Sequence, residues 1–434
     1  TLYAEDCRWA YGDGGRLTYL PRKTELHRCV VAFSWKEKSH NQGYFTSGFR
    51  AAATFDEVIF YRNGYKSDPR TNPDPRRDIF SRNIYQGGGA QMGHRYLGII
   101  SADGGSGGPQ MRLGGQIERS LIVEGYWYNS TNSNKLVNPW LIESQQTGRS
   151  ALVRNNVQLV FAFPTPRDPD SAVRKSVTAS QPAWGYALAS ASFGALVEGN
   201  IVSQAMLIDD LGVEEGARGH GIAISTSPET YEDGRNYSQQ NNTIRGNIVY
   251  RTGMGLQIQG DWSDARGVVV ENNVFAANHA VSKKAEKIAG PQTLSLRNNR
   301  FYANDGLPDE SPFASGNTVA KYANAAKAEG WTDPNRTLKR YVTEVLGLTL
   351  LDWADDPWLD RAAADARAKV GESYDPTGMK TFMAVATNMR QGGVTPTPAA
   401  GKPSWTGDYQ WDNRLTGPAV VNWIRAGFAM PAVD

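Results

Sequence analysis

A short unit recurs along the first three hundred residues of the chain, and it limits what the chain can fold into. Each copy reads apolar–x–apolar, two polar residues, Asn, then two or three apolar residues. The clearest copies are LVEGNIV from Leu196, IRGNIV from Ile244, VENNVF from Val270 and LRNNRF from Leu296. Copies ending at Val157 and Ile84 are looser. Those around Cys7, Cys29, Val58 and Ser120 keep the apolar flanks but lose the Asn. The anchors fall at 7, 29, 58, 83, 120, 156, 200, 247, 273 and 299, with spacings of 22, 29, 25, 37, 36, 44, 47, 26 and 26. A base period of 22 to 29 residues with longer units between marks stacked repeats carrying loop insertions. Within each unit the alternation is period two around a turn, which is the pattern of strands rather than helices. Six Asn at one phase predict a ladder of amides bonding along the stack at a spacing of roughly 4.8 Å. Asn also tolerates the left-handed backbone of a tight bend. A propeller would need blades of about 40–50 residues, longer than the base period.

Composition agrees with a large folded chain. Of 434 residues, 40% are hydrophobic and 21% charged, enough apolar material for a sizeable core. Lys plus Arg number 46 against 44 Asp plus Glu, a net charge of +2, which argues against binding nucleic acid through phosphate neutralisation. No apolar run is long enough for a membrane-spanning helix. No signal peptide is visible, so secretion is neither shown nor excluded. The 45 Gly, 12 Trp and 19 Tyr suit an all-β scaffold with a carbohydrate-facing surface.

The repeat units resemble the turns of a right-handed parallel β-helix, as in the pectate-lyase-like superfamily and many phage tailspikes. The resemblance covers about residues 1–305. It implies an all-β solenoid with a small helical C-terminal region, acting on polysaccharide. It does not choose among lyase, hydrolase, epimerase, esterase and inert shaft, all of which this scaffold carries. It also implies an extracellular, periplasmic, cell-surface or virion location.

A further strand is expected before each next anchor: 16–19, 44–47, 97–101, 140–144, 185–189, 221–225, 255–259 and 280–283. In the β-helix family that strand builds the face that holds substrate. Its outward residues would be Thr46, Ser101, Glu143, Ser225, Gln257 and Gln259. The first unit starts at Leu2, so the chain opens inside a repeat. An open solenoid end needs a cap. The expectation is a fragment or processed product, or a second copy or capping chain over that end. Residues 306–434 form the other domain, with helical spacing in 319–328, 338–346, 359–370, 379–389 and 418–428 and a Pro-rich linker near 394–404. It reads as a helical cap over the last repeat, or as a substrate-binding or assembly module. Cys7 and Cys29 share a phase on adjacent repeats, within disulfide reach, and are either bridged or two stacked thiols. With no CxxC pair or His/Cys cluster, a structural zinc site is not expected.

The units 156–200 and 200–247 are the longest, and extra length at fixed phase means loops on a rigid scaffold. The second holds Asp209, Asp210, Glu214, Glu215, Arg218 and His220, running into the strand from Gly221. Glycoside hydrolysis needs two carboxylates, about 5–5.5 Å apart for retention and about 6.5–9.5 Å for inversion. Asp210 and Glu215 are the candidate acid and base or nucleophile, with Arg218 and His220 orienting substrate. Glu143, Trp184, Tyr231, Gln257, Asp261 and Trp262 are candidate substrate-binding residues, the aromatics by stacking on sugar C–H faces. No cofactor is required, although Asp209, Asp210 and Glu214 also have the oxygen donors that a structural Ca²⁺ takes. Three other readings stay open. The acidic cluster is also what a solvated loop looks like. A lyase would instead use a base and a cation, from Arg218 and His220, His94 and Arg95, or His279 with Lys283 and Lys284. A fibre, shaft or adhesin would bind glycan on the same scaffold without a matched acid pair.

Overall fold

The computed structural model describes residues 24–46, 53–69, 81–86, 93–105, 108–111, 114–124, 151–160, 193–203, 220–226, 236–307, 314–350, 377–390 and 411–434, together with short strands at 2–5, 8–9, 12–13, 17–18, 184–188 and 229–230. The described chain is mostly β, with few helices, and its strands lie in large parallel sheets.

The first sheet runs from Leu2–Glu5 to Ala314–Ser315 and the second from Arg8–Trp9 to Thr318–Ala320. In both, each strand hydrogen-bonds to the next member of its own set in chain order. The chain therefore visits the two sheets alternately. Leu196–Glu198 lies beside Thr243–Arg245 in the first, and Ile201–Ser203 beside Ile248–Asp261 in the second. Both sheets continue past Gly306, because 314–315 and 318–320 add one more repeat anchored at Asn317.

The bend between the sheets explains the repeat. The residue before each anchor is left-handed, with φ of 54° at Arg28, 53° at Glu57, 58° at Gly98, 53° at Arg119, 58° at Asn155, 64° at Gly199, 61° at Gly246, 55° at Asn272, 54° at Asn298 and 64° at Gly316. Most of these are Gly or Asn, which reach that region at least cost. The strained position thus precedes the ladder Asn and does not coincide with it. The ladder residue does something else: it satisfies buried backbone. Asn247 Nδ2 donates to Asn273 Oδ1 and to Val197 O, at 2.9 and 3.0 Å, while its Oδ1 accepts from the backbone N–H and Nδ2 of Asn200. The same pattern links Asn156, Asn200, Asn273, Asn299 and Asn317.

Asn83 belongs to a different corner. It accepts from Asn63 Nδ2 at 3.0 Å and donates to Ala102 O. The anchor of that repeat is Ile99, after the left-handed Gly98, and its apolar side chain hides it from a search for Asn. The expected strand at 97–101 is for the same reason two strands, Arg95–Leu97 and Ile100–Ala102, on either side of the bend.

The second sheet is apolar on both faces, as triplets such as Val30–Val31–Ala32 and Leu121–Ile122–Val123 require. Val31, Phe60, Ile122, Val249, Phe275 and Phe301 point into the core shared with the first sheet. Val30, Ile59, Ile100, Leu121, Val157, Ile201 and Ile248 point the other way, onto the C-terminal segment. Helix Thr377–Met389 and helix Gly417–Gly427 cover that outer face. The latter is started by Thr416, whose Oγ1 accepts from Ala419 N, and by Pro418 in its first turn. Arg390 Nε donates to Glu57 O at 2.9 Å, and Arg425 Nη1 to Gly199 O at 2.7 Å. The two described helices therefore lie along the flank of the stack and not over its last repeat. The helical spacing at 319–328 also resolves differently, into strand Thr318–Ala320 and the short helix Ala325–Ala328. The stretch 359–370 and the linker near 394–404 lie outside the described residues. Cys29 is disulfide-bonded, and the only other cysteine in the chain is Cys7, so the stacked-thiol alternative does not hold.

Candidate functional site

The outer face of the first sheet is electrostatically closed. The residue two before each anchor points outward, and in register these read Glu118, Arg154, Glu198, Arg245, Glu271 and Arg297. Arg154 pairs with Glu118, Arg245 with Glu198 at 2.7 Å and Arg297 with Glu271 at 2.7 Å. His27 meets Asp56 at 2.9 Å higher in the same column. Charge alternates along the column, so this face carries little net field.

A third face remains. In the first half it comprises Leu17–Thr18, Tyr44–Thr46, Ile84–Gln86 and Gln110–Met111. In the second half Trp184–Leu188 pairs with His220–Thr226, which pairs with Ile248–Asp261, which pairs with Val274–Glu286. A register shift between Tyr250 and Thr252, at the left-handed Arg251, turns those long strands from the second sheet onto this face. Beyond it Ile222, Ile224, Leu256 and Ile258 enter the core. Their alternates form two outward columns, Ala223–Gln257–Ser282 and Ser225–Gln259–Lys284. Lys284 is exposed and has no ion-pair partner among the described residues.

Of the expected strands, 44–47, 221–225, 255–259 and 280–283 fall on this face and 140–144 lies outside the described residues, but several side chains are not placed as expected. Trp262 is fully buried in the core, and its Nε1 donates to Gln259 O at 3.1 Å, so it offers no ring to a sugar. Gln257 faces outward yet is covered, at 7% exposure. Thr46 and Ser101 point inward, Ser101 accepting from Asn83 Nδ2. Asp261 is held by Lys287 Nζ at 2.8 Å and by Ser263 N–H at 2.9 Å. The Lys287 ammonium draws its carboxyl down to about 2, so it is a fixed anion at a strand end. Asp210, Glu215, Arg218, Glu143 and Tyr231 lie outside the described residues, as do Asp209 and Glu214. Trp184 and His220 are register partners in one column that continues to Met254 and His279.

At the foot of that column the structure forms a dyad. His279 Nδ1 meets Asp305 Oδ2 at 3.0 Å, and Asp305 Oδ1 accepts the backbone N–H of Ala280 at 2.8 Å. Asn304 N–H donates to Asn278 O, fixing the chain one residue before. Both side chains are partly exposed. The sequence gives no spacing signal for this pair, because Asp305 sits in a connecting segment outside the strand register.

The sequence also gives no sign of a buried polar cluster in the first half of the third face. Tyr44 Oη meets His94 Nε2 at 2.8 Å, and Gln86 Nε2 donates to Tyr96 Oη at 2.7 Å, all four side chains being buried. Burial holds the His94 imidazole down to about 4 and raises both tyrosines. Among the described residues no group of three or more His, Cys, Asp or Glu side chains is placed to hold a metal ion. No helix of the described chain is long and apolar enough to cross a membrane.

Comparison with protein-family models, with curated proteins and with solved structures finds no match to this chain.

Proposed function

We propose that the chain is a right-handed parallel β-helix that binds a polysaccharide along its third face and cleaves it by hydrolysis, outside the cell or on a cell or virion surface. The observation that carries this reading is the polar outward column Ser225–Gln259–Lys284, on a face that among the described residues lies under neither the helices nor the charge column. Hydroxyl, amide and ammonium groups at strand spacing, roughly 4.8 Å apart, give repeated hydrogen bonds to a polymer of hydroxyls. In the sequence the acidic segment 209–215 precedes the strand from His220 by four residues. A carboxylic acid there, kept protonated by a neighbouring carboxylate or an apolar wall, would protonate the leaving oxygen.

The test is a reducing-end screen of the purified chain against neutral and acidic polysaccharides. New saturated reducing ends are expected from wild type, and loss of about 10²–10⁴ in rate from Asp210→Asn or Glu215→Gln. Unchanged turnover in both variants removes these residues from the chemistry. Binding on a glycan array without cleavage would instead make this a non-catalytic glycan-binding β-helix.

A further inference from the structure

We propose that the last described repeat, 314–320, is an interface at which two copies of this chain join end to end about a two-fold axis, strand Thr318–Ala320 of one pairing antiparallel with the same strand of the other.

The inward column of the second sheet runs Val249, Phe275, Phe301 and Val319 in register. The first three are at most 1% exposed, whereas Val319 is 45% exposed, and it is the one exposed large hydrophobic side chain among the described residues. The rings of Phe275 and Phe301 stack behind it, with centroids 5.1 Å apart. A core position that meets water lacks the layer that covers it in every earlier repeat, and the two described helices pack on the flank instead.

The backbone at this end is open in the same way. Thr318 N–H donates to Asn299 O, and Ala320 O accepts from Ala303 N–H, so residues 318 and 320 face the preceding repeat. Alternation along the strand turns the N–H and C=O of Val319 the other way, where nothing among the described residues bonds to them. The amide ladder stops here too. Asn156, Asn200, Asn247, Asn273 and Asn299 each donate their backbone N–H to the side chain of the next anchor. Asn317 receives from Asn299 and donates its Nδ2 to Leu296 O, but its own backbone N–H has no acceptor among the described residues. An unpaired edge of this kind is a template for another strand.

The edge is complementary to itself. With Val319 opposite Val319 of the second copy, the two residues exchange both N–H···O=C bonds as an antiparallel bonded pair, and each valine covers the other. Thr318 then lies opposite Ala320, and Asn317 opposite Lys321, whose backbone is still extended. No like charges face one another across the pair. The Lys321 carbonyl bonds Asn324 N–H and keeps a second lone pair for Asn317 N–H. Two-fold pairing consumes the open edge of both copies and closes at two chains, whereas a head-to-tail stack would leave an open end at every step and grow into a fibre.

The experiment is sedimentation velocity on wild type and Val319→Lys from micromolar to near-millimolar concentration, with oxidative cross-linking of Val319→Cys and Ser315→Cys. Wild type is expected to show a reversible monomer–dimer equilibrium with no larger species, weak because one repeat end is smaller than a standard interface. Val319→Lys should keep the wild-type circular dichroism and unfolding midpoint, since the side chain is already in water, and raise the dimer dissociation constant more than about tenfold. Val319→Cys should link two chains through one disulfide, because Cα atoms of a bonded antiparallel pair lie about 5.5 Å apart, within disulfide reach. Ser315→Cys, also exposed on this repeat, should not. A wild type that stays monomeric throughout, fibres that lengthen with concentration, or a dimer that Val319→Lys leaves intact and Val319→Cys does not link overturns the proposal.

Discussion

His94 sits at 1% exposure against the rings of Tyr44 and Tyr96, with one ring nitrogen bonded to Tyr44 and Nδ1 without a protein partner. Desolvation disfavours its charged form, and among the described residues no carboxylate bonds to it. The folded-state value of about 4 lies below the unfolded value of about 6.5. The unfolded chain therefore binds the extra proton, so stability is full above about 6.5 and falls as pH drops toward about 4, by roughly 3 kcal/mol. Urea unfolding at pH 7 and pH 4.5 should show this drop, and His94→Phe should remove this part of the slope while lowering stability at pH 7 by removing the imidazole bond of the buried Tyr44 hydroxyl. An unchanged slope in His94→Phe would refute the assignment. The ladder amides act by a different route. Asn247→Ala deprives Asn200 N–H, Val197 O and Asn273 of their bonds in a water-free column, at about 1–3 kcal/mol for each buried group left unmade. A loss of about 3–5 kcal/mol is expected, against much less for Asn317→Ala at the last anchor, where Asn317 is only partly buried. Equal losses at the two positions would mean that the ladder contributes nothing beyond its individual exposed bonds.

At the scale of strands, the outward charge column of the first sheet does what the apolar core cannot. Core residues of neighbouring repeats are interchangeable, since Val197, Ile244, Val270 and Leu296 all occupy the same place. A slip by one repeat would bury equally well, but it would set Arg on Arg and Glu on Glu. Glu198→Arg places three arginines in succession, between Arg154 and Arg245, and should cost about 1 kcal/mol, and Arg245→Glu in the same chain restores the opposite charges at 198 and 245 but faces Glu271, so it returns only part of the loss. Chemical denaturation of the four members of this double-mutant cycle measures the coupling, and strict additivity would show that the charges do not sense one another. This alternation was present in the sequence, two residues before each anchor, yet a search for apolar and Asn positions passes over it. The same search found the strands because period-two burial and the buried Asn are local requirements. It placed His220–Thr226 and the outward part of Ile248–Asp261 correctly. It misplaced Asn83 because two corners of the stack use Asn for the same backbone need. It misread Trp262 because a large ring at a strand end fills the core as readily as it stacks on a ligand. His279 was visible as a candidate, but Asp305 was not, since contact between a strand and a connecting segment leaves no period in the sequence.

Across the whole molecule, the C-terminal helices hold together strands that are far apart in the chain. Val420, Val421, Ile424 and Phe428 pack on the outer face of the second sheet, Arg390 bonds Glu57 O and Arg425 bonds Gly199 O. Burial lowers the Arg425 guanidinium only to about 10, so it remains charged at neutral pH and its bonds to Gly199 O and Pro431 O are charge-assisted. Near the other end of the flank Tyr250, Trp331 and Phe428 meet edge to face, with ring centroids 5.0 to 5.5 Å apart. Ile424→Asp would put an unpaired carboxylate into this contact, and the segment should then separate from the sheet, since an isolated buried charge costs more than the helix gains by docking. Two placements of the segment make different forecasts. A cap over the last repeat would confine the damage to Arg300–Tyr302 and Thr318–Ala320. A cover along the flank exposes Val30, Ile59, Ile100, Leu121 and Val157 together, a continuous apolar strip of the kind that drives self-association. Hydrogen exchange followed by mass spectrometry should therefore show faster exchange in Val30–Ala32, Ile59–Tyr61, Ile100–Ala102 and Leu121–Glu124, with self-association on sizing. The outward strands His220–Thr226 and Met254–Asp261 should keep their protection, because they do not lie under the helices. Changes restricted to the last two strands would refute the flank assignment.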